Sequence, residues 1–272
     1  MFFILFFTVF TSCKNEDITK YEYYRNGNLH FKFLYDSEDT SNYWLYVYYE
    51  DTNAIKSRSR VENYLNNGGY FEYNKDKSIH IQGMYKNNLK NGVFREYGNN
   101  GNVITEKLFF KDTLYLQYAL FENKDRNQKK MIYSSHTDNQ SLILGEMYYD
   151  SSDDIIDSLS YLFVVDAPDT VQLNEQFTFS IKVFHPDLKN ILSFQAGTFN
   201  NQFRVINDTV IKQAIKSKDE IECETNSDMR GYQVFTGELN YLIEYLDSNN
   251  NNVIDTFHTP VYFDYFVDKT FK

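Results

Sequence analysis

Apolar positions along this chain recur at every second residue rather than every third or fourth. In "QFTFSIKVF", Phe177, Phe179, Ile181 and Val183 fall on one side and Thr178, Ser180 and Lys182 on the other. That is the period of a half-buried strand. The run "NYWLYVYY" alternates likewise, with Tyr43, Leu45, Val47 and Tyr49 on one side and Trp44, Tyr46 and Tyr48 on the other. The pattern predicts an all-β protein.

The first third of the chain also repeats itself. The strings "EYYRNGNLH", "VYYEDTNAIK", "FEYNKDKSIH" and "REYGNNGNVI" align on Tyr24, Tyr49, Tyr73 and Tyr97, at spacings of 25, 24 and 24 residues. An aliphatic residue follows each tyrosine: Leu29, Ile55, Ile79 and Val103. Turns are expected at Asn26-Gly27, Asn67-Gly68, Asn91-Gly92 and Asn100-Gly101, because Asn and Gly tolerate the positive φ of tight hairpin turns. Two strands and two turns consume about 24 residues, so each unit reads as one hairpin, and successive hairpins add to one antiparallel sheet. The strings "YKNNLKNGVFREYGNNGNVI" and "YLNNGGYFEYNKDKSI" resemble the MORN-repeat variant family of bacteria. That resemblance covers residues 20–112 and implies an elongated scaffold or binding surface with no catalytic residues. Some members of the family are labelled antitoxins, which implies an alternative role as an antitoxin or immunity-like protein that binds a toxin partner.

From Lys111 to Tyr149 further hairpins extend or cap the sheet, and "DSSDDIIDS" marks a linker. Beyond it, about seven strands with turns every 8–12 residues predict a β-sandwich resembling bacterial immunoglobulin-like modules. Pro168, Pro186 and Pro260 are expected at strand ends, where a missing N–H does least harm.

The opening "MFFILFFTVFTSCKNED" carries an apolar run of nine residues, Phe2 to Phe10, too short for a membrane-spanning helix of about 20. It fits the core of an export signal, and Phe10-Thr11-Ser12-Cys13 resembles a bacterial lipoprotein signal in which Cys13 is lipidated. It departs from the common form in having Phe10 at the third position before the cysteine and no Lys or Arg after Met1. An export signal argues against the antitoxin role, because an antitoxin meets its toxin in the cytosol. The expected organisation is a signal peptide at 1–12, a tether at 13–20, the repeat domain at 21–149, a linker at 150–159 and the Ig-like sandwich at 160–272.

Composition narrows the function. With 24 Tyr and 24 Phe against 3 Pro, the bulk of the chain is not disordered. Residues 1–112 balance at 14 charges of each sign, so the whole net charge of −11 lies in residues 113–272. Neither part is basic, which argues against a nucleic-acid surface, and the step suggests two domains. Cys223, between Glu222 and Glu224 in "IECET", reads as a small buried strand residue.

The five histidines, His30, His80, His136, His185 and His258, show no metal-ligand spacing. "DSNNNNVID" mimics a calcium loop at Asp247, Asn249, Asn251 and Asp255, but has Asn252 in place of the glycine and His258 in place of the closing glutamate. It reads as a polar hairpin turn. No nucleophile elbow, Walker loop or zinc motif occurs, so neither catalytic residues, metal nor cofactor is expected. The sequence thus points to a non-enzymatic, lipid-anchored protein of the cell envelope, at the outer membrane or cell surface, held by Cys13 and binding protein or glycan partners. Trp44, Tyr46 and Tyr48 are the candidate contact residues.

Overall fold

The computed structural model describes residues 18–36, 40–123, 128–137, 140–200 and 204–268. The N-terminal sheet holds β1 (Ile18–Tyr23), β2 (Leu29–Tyr35), β3 (Tyr43–Tyr48), β4 (Ile55–Glu62), β5 (Leu65–Tyr73) and β6 (Ile79–Lys86). It continues through β7 (Leu89–Lys90), β8 (Gly92–Tyr97), β9 (Val103–Phe110), β10 (Thr113–Asn123), β11 (Gln128–Thr137) and β12 (Gln140–Tyr149). Each strand pairs antiparallel with the next in chain order, except that β6 takes both the short β7 and β8 on one side. The result is one 12-stranded meander.

The repeat has a geometric cause. Strand pairing shifts register at Glu22/Tyr23, Val47/Tyr48, Glu72/Tyr73 and Glu96/Tyr97. The tyrosine of each bulge faces the aliphatic residue picked out above: Tyr23 opposite Leu29, Tyr48 opposite Ile55, Tyr73 opposite Ile79 and Tyr97 opposite Val103. In the first two units the aligned tyrosines, Tyr24 and Tyr49, are therefore one residue past the paired one. They open the turn instead, and their hydroxyls donate to the carbonyls of Tyr48 and Tyr73 in the next unit, at 2.9 and 2.8 Å. Each such bond links residues 24 apart, so the period is built into the contacts between hairpins.

Two of the four expected turns are placed differently. Asn26-Gly27 and Asn100-Gly101 are turns, closed by Gly27 N–H to Tyr24 O and Gly101 N–H to Gly98 O at 3.0 and 2.9 Å. Asn67-Gly68 lies inside β5, and Asn91-Gly92 lies at the break between β7 and β8. The turns on that edge are Asn63-Tyr64, Asn87-Asn88 and Lys111-Asp112, spaced by 24, and both residues of each have positive φ, as a two-residue hairpin turn of this hand demands. Gly68 (φ 128°) and Gly92 (φ 100°) serve the kinks that follow.

The expected linker is an ordered turn. The Asp150 carboxylate accepts the N–H groups of Ser152 and Asp154 at 2.8 and 3.0 Å, and the Ile156 N–H donates back to Tyr148 O at 2.9 Å.

The C-terminal part forms two further sheets. One orders β13 (Leu162–Asp166), β15 (Gln176–Phe184), β19 (Glu220–Asn226) and β18 (Lys212–Ile215) side by side. The other orders β14 (Thr170–Gln172), β21 (Asn252–Asp268), β20 (Gly231–Leu246), β16 (Leu188–Phe199) and β17 (Val205–Thr209). They pack face to face. The Phe179 ring, on β15, meets Phe194, Phe235 and Phe263 of the second sheet at centroid distances of 5.7, 5.1 and 4.8 Å.

Cys223 is fully buried opposite Phe179, and burial pushes its thiol up to about 12. Pro168 and Pro186 lie in connections, but Pro260 stands in the middle of β21. It is tolerated because β14 pairs only with Phe266 to Asp268, leaving the Pro260 flank of the strand without a ladder partner. The Asp247–Asn251 segment is a hairpin turn, with the Asp247 carboxylate occupied by the N–H groups of Asn249 and Asn251. Among the described residues no group of three or more His, Cys, Asp or Glu is placed to hold a metal ion.

The meander and the sandwich share one core. Val93, Leu108, Leu116, Tyr133 and Met147 of the meander cluster with Phe163, Tyr262 and the sandwich interior. On β21, Val261, Phe263 and Tyr265 point inward, so Tyr262 and Asp264 point outward, onto the meander. The part of the second sheet around Tyr232 and Tyr262, on β20 and β21, is thus covered on both faces.

Candidate functional site

The covered end of the meander is held by polar contacts. Arg95 on β8 stands opposite Glu106 on β9, and its Nε donates to Glu106 Oε2 at 2.8 Å. Its two terminal nitrogens form a fork with Asp264, Nη1 to Oδ2 at 2.7 Å and Nη2 to Oδ1. The Tyr232 hydroxyl donates to the same Asp264 Oδ2 at 2.8 Å and accepts the Val93 N–H at 3.2 Å. Farther along, the Tyr133 hydroxyl donates to Pro260 O at 2.7 Å. Glu146 accepts the hydroxyl of Tyr161, at the entry to the sandwich, at 2.7 Å.

Beside this latch lies a cavity of ≈ 450 Å³, lined among others by Glu106, Tyr118, Met131, Met147, Phe163 and Tyr262. Burial raises the Glu106 carboxyl above the usual carboxylate range, against the pull of Arg95. Burial alone would weaken the charge on Arg95, but the Asp264 hydrogen bond and both carboxylates hold the guanidinium firmly charged. The Tyr262 hydroxyl leans on Glu106 without a hydrogen bond of ordinary geometry. One guanidinium serves both acids, an arrangement that neutralises charge and ties two sheets together; it presents no activated nucleophile.

A second cluster escaped the sequence reading. Glu238, 2 % exposed, is held by Arg204 Nε at 2.8 Å and His258 Nδ1 at 3.1 Å, with Asn240 against the same histidine. It too pairs acid with base.

Among the described residues, nothing covers the same meander face over β1 to β6. Strand register sets one row across it: Tyr21, Lys32, Tyr46, Arg58, Phe71, Gln82 and then Arg95. Trp44 and Tyr46 share this face, as the alternation predicts. Tyr48 follows the register shift at Val47/Tyr48; burial, with Tyr21 and Tyr46 nearby, raises its hydroxyl pKa. All three side chains are half-buried. Lys32 Nζ sits 5.5 Å from the Tyr46 ring, and the Arg58 guanidinium lies 5.4 Å from Trp44 and 4.3 Å from Phe71.

Ring-to-ring ladders occupy the opposite face instead. Tyr70, Tyr85, Phe94 and Phe109 follow one another edge to face at 5.4, 5.5 and 5.4 Å, and Phe33, Tyr35 and Tyr43 form a second group. Cross-strand stacking of this kind stabilises a thin sheet, so that task falls to the face away from Trp44. Among the described residues Trp44 enters no aromatic pair, and the Arg58 guanidinium lies over its ring. Cys13 lies outside the described residues. Comparison with protein-family models, with curated proteins and with solved structures gave no match to this chain.

Proposed function

We propose that this is a non-enzymatic, lipid-anchored protein of the cell envelope that serves as a binding or assembly scaffold for protein or glycan partners. The observation that carries the reading is the division of one sheet face. Over β8 to β12 it is covered by the sandwich, and over β1 to β6 it is open among the described residues and carries Trp44, Tyr46, Phe71, Lys32 and Arg58. Aromatic side chains offer large contact area at low cost in conformational entropy. The 24-residue hairpin period supports the resemblance to MORN-type scaffolds, and the order of strands in the two C-terminal sheets supports the immunoglobulin-like reading.

The anchor rests on the apolar run and Cys13. Cells fed a radioactive fatty acid are expected to label the wild-type protein and place it in the membrane fraction, with both signals lost in Cys13→Ala. An unlabelled, soluble wild-type protein would end the envelope reading and return the antitoxin-like alternative.

A further inference from the structure

We propose that the open face of β2 to β5 binds an acidic polysaccharide, with sugar rings on Trp44, Tyr46 and Phe71 and carboxylates on Lys32 and Arg58; this rests on the binding role proposed above. Charge is the first argument. Several meander cations have no carboxylate partner among the described residues, and Lys32 and Arg58 are the two of them that stand in the row beside Tyr46; the buried Arg58 Nε has no hydrogen-bond acceptor. Two cations held over rings, in a chain of net charge −11, form a local surface complementary to an anion.

The covered part of the same face supplies the second argument. Three strands along the row from Arg58, Arg95 receives a carboxylate delivered from outside the sheet, that of Asp264, in a two-pronged bond with a tyrosine beside it. The intramolecular contact is a template for an external one, since planar guanidinium and carboxylate match in geometry.

Shape separates a glycan from a protein. Lysine is depleted at the desolvated centre of protein–protein interfaces, whereas here Lys32 stands directly beside Tyr46 at the middle of the patch. Lys32 and Arg58 lie two strands apart, roughly 10 Å, with an aromatic ring between them. An extended acidic glycan presents the matching alternation, C–H faces of sugar rings against carboxylates.

Trp44 is the sole tryptophan, so its emission reports occupancy directly. The full chain would be titrated with polygalacturonate, with neutral dextran and with polyglutamate. Polygalacturonate is expected to shift Trp44 emission saturably at less than a tenth of the concentration needed by either other polymer. Arg58→Gln should weaken it about tenfold, the loss of one charge-assisted contact, and added salt should weaken it further. Lys32→Gln provides the same readout if Arg58→Gln does not fold. Equal or tighter binding of polyglutamate would reassign the face to acidic proteins, and equal binding of dextran to neutral sugars. Either result overturns the acidic-glycan proposal and leaves the binding role standing. Unchanged affinity in both glutamine variants also overturns it. If none of the three polymers moves Trp44, both the proposal and the binding role of this face fall.

Discussion

Asp264→Ala is expected to cost the folded protein roughly 3 kcal/mol, the low end of the range for removing one member of a buried ion pair. The carboxylate takes both terminal nitrogens of Arg95 and the Tyr232 hydroxyl, and its side chain is 11 % exposed. Its loss strands a guanidinium at the seam between meander and sandwich, with only the Glu106 contact remaining.

Glu106→Gln should behave in the opposite sense at neutral pH. The folded protein holds the Glu106 proton more tightly than the unfolded chain does. That carboxyl therefore withdraws stability as pH rises from its unfolded value near 4.5 towards its higher folded one. The glutamine variant is spared that loss and keeps an acceptor for Arg95 Nε. Urea unfolding of wild type and both variants at pH 4 and pH 7 measures the difference. Equal stability of Asp264→Ala and wild type would mean that the latch does not hold the two parts together.

Phe179→Ala should be at least as damaging, at about 3–5 kcal/mol for a buried phenylalanine. The ring is 2 % exposed and meets three rings of the facing sheet, so its removal leaves a cavity at the centre of the sandwich. Cys223 reports the event, because it stands directly opposite Phe179 and its thiol is buried and hard to ionise. In a Cys13→Ser background, a thiol reagent is expected to leave folded wild type unmodified and to react with Phe179→Ala at an appreciable rate. Rapid modification of the wild type would contradict the core position of Cys223.

Much of the strand content could be read directly. The alternation in β15 is preserved in its burial, with Phe177, Phe179, Ile181 and Val183 inside. The repeat was legible because each bulge pairs a tyrosine with an aliphatic residue at a fixed offset. Turn positions on one edge were not, because Asn-Gly is a strong turn signal and Tyr64 and Lys111 are unusual residues at positive φ; there, sheet pairing overrides local preference. Pro260 was misplaced for a related reason, since a strand without a ladder partner on one flank tolerates proline at its middle.

The docking of sandwich on meander left no trace in the sequence. Alternation marks two faces without saying what covers either, and Arg95 and Asp264 lie 169 residues apart. The charge step at residue 112 suggested separate domains, yet one core runs through both. Trp44 and Tyr46 were legible as one face, whereas their cationic neighbours, Lys32 and Arg58, became visible only with the strand register.

The division of the meander face is the centre of this account, and hydroxyl-radical footprinting of the full chain tests it. Trp44 and Tyr46 are expected to oxidise several-fold faster than Tyr133 and Tyr262, which are 0 and 3 % exposed beneath the sandwich. Protection of Trp44 and Tyr46 in the free protein, or oxidation of Tyr133 at a matching rate, would contradict it.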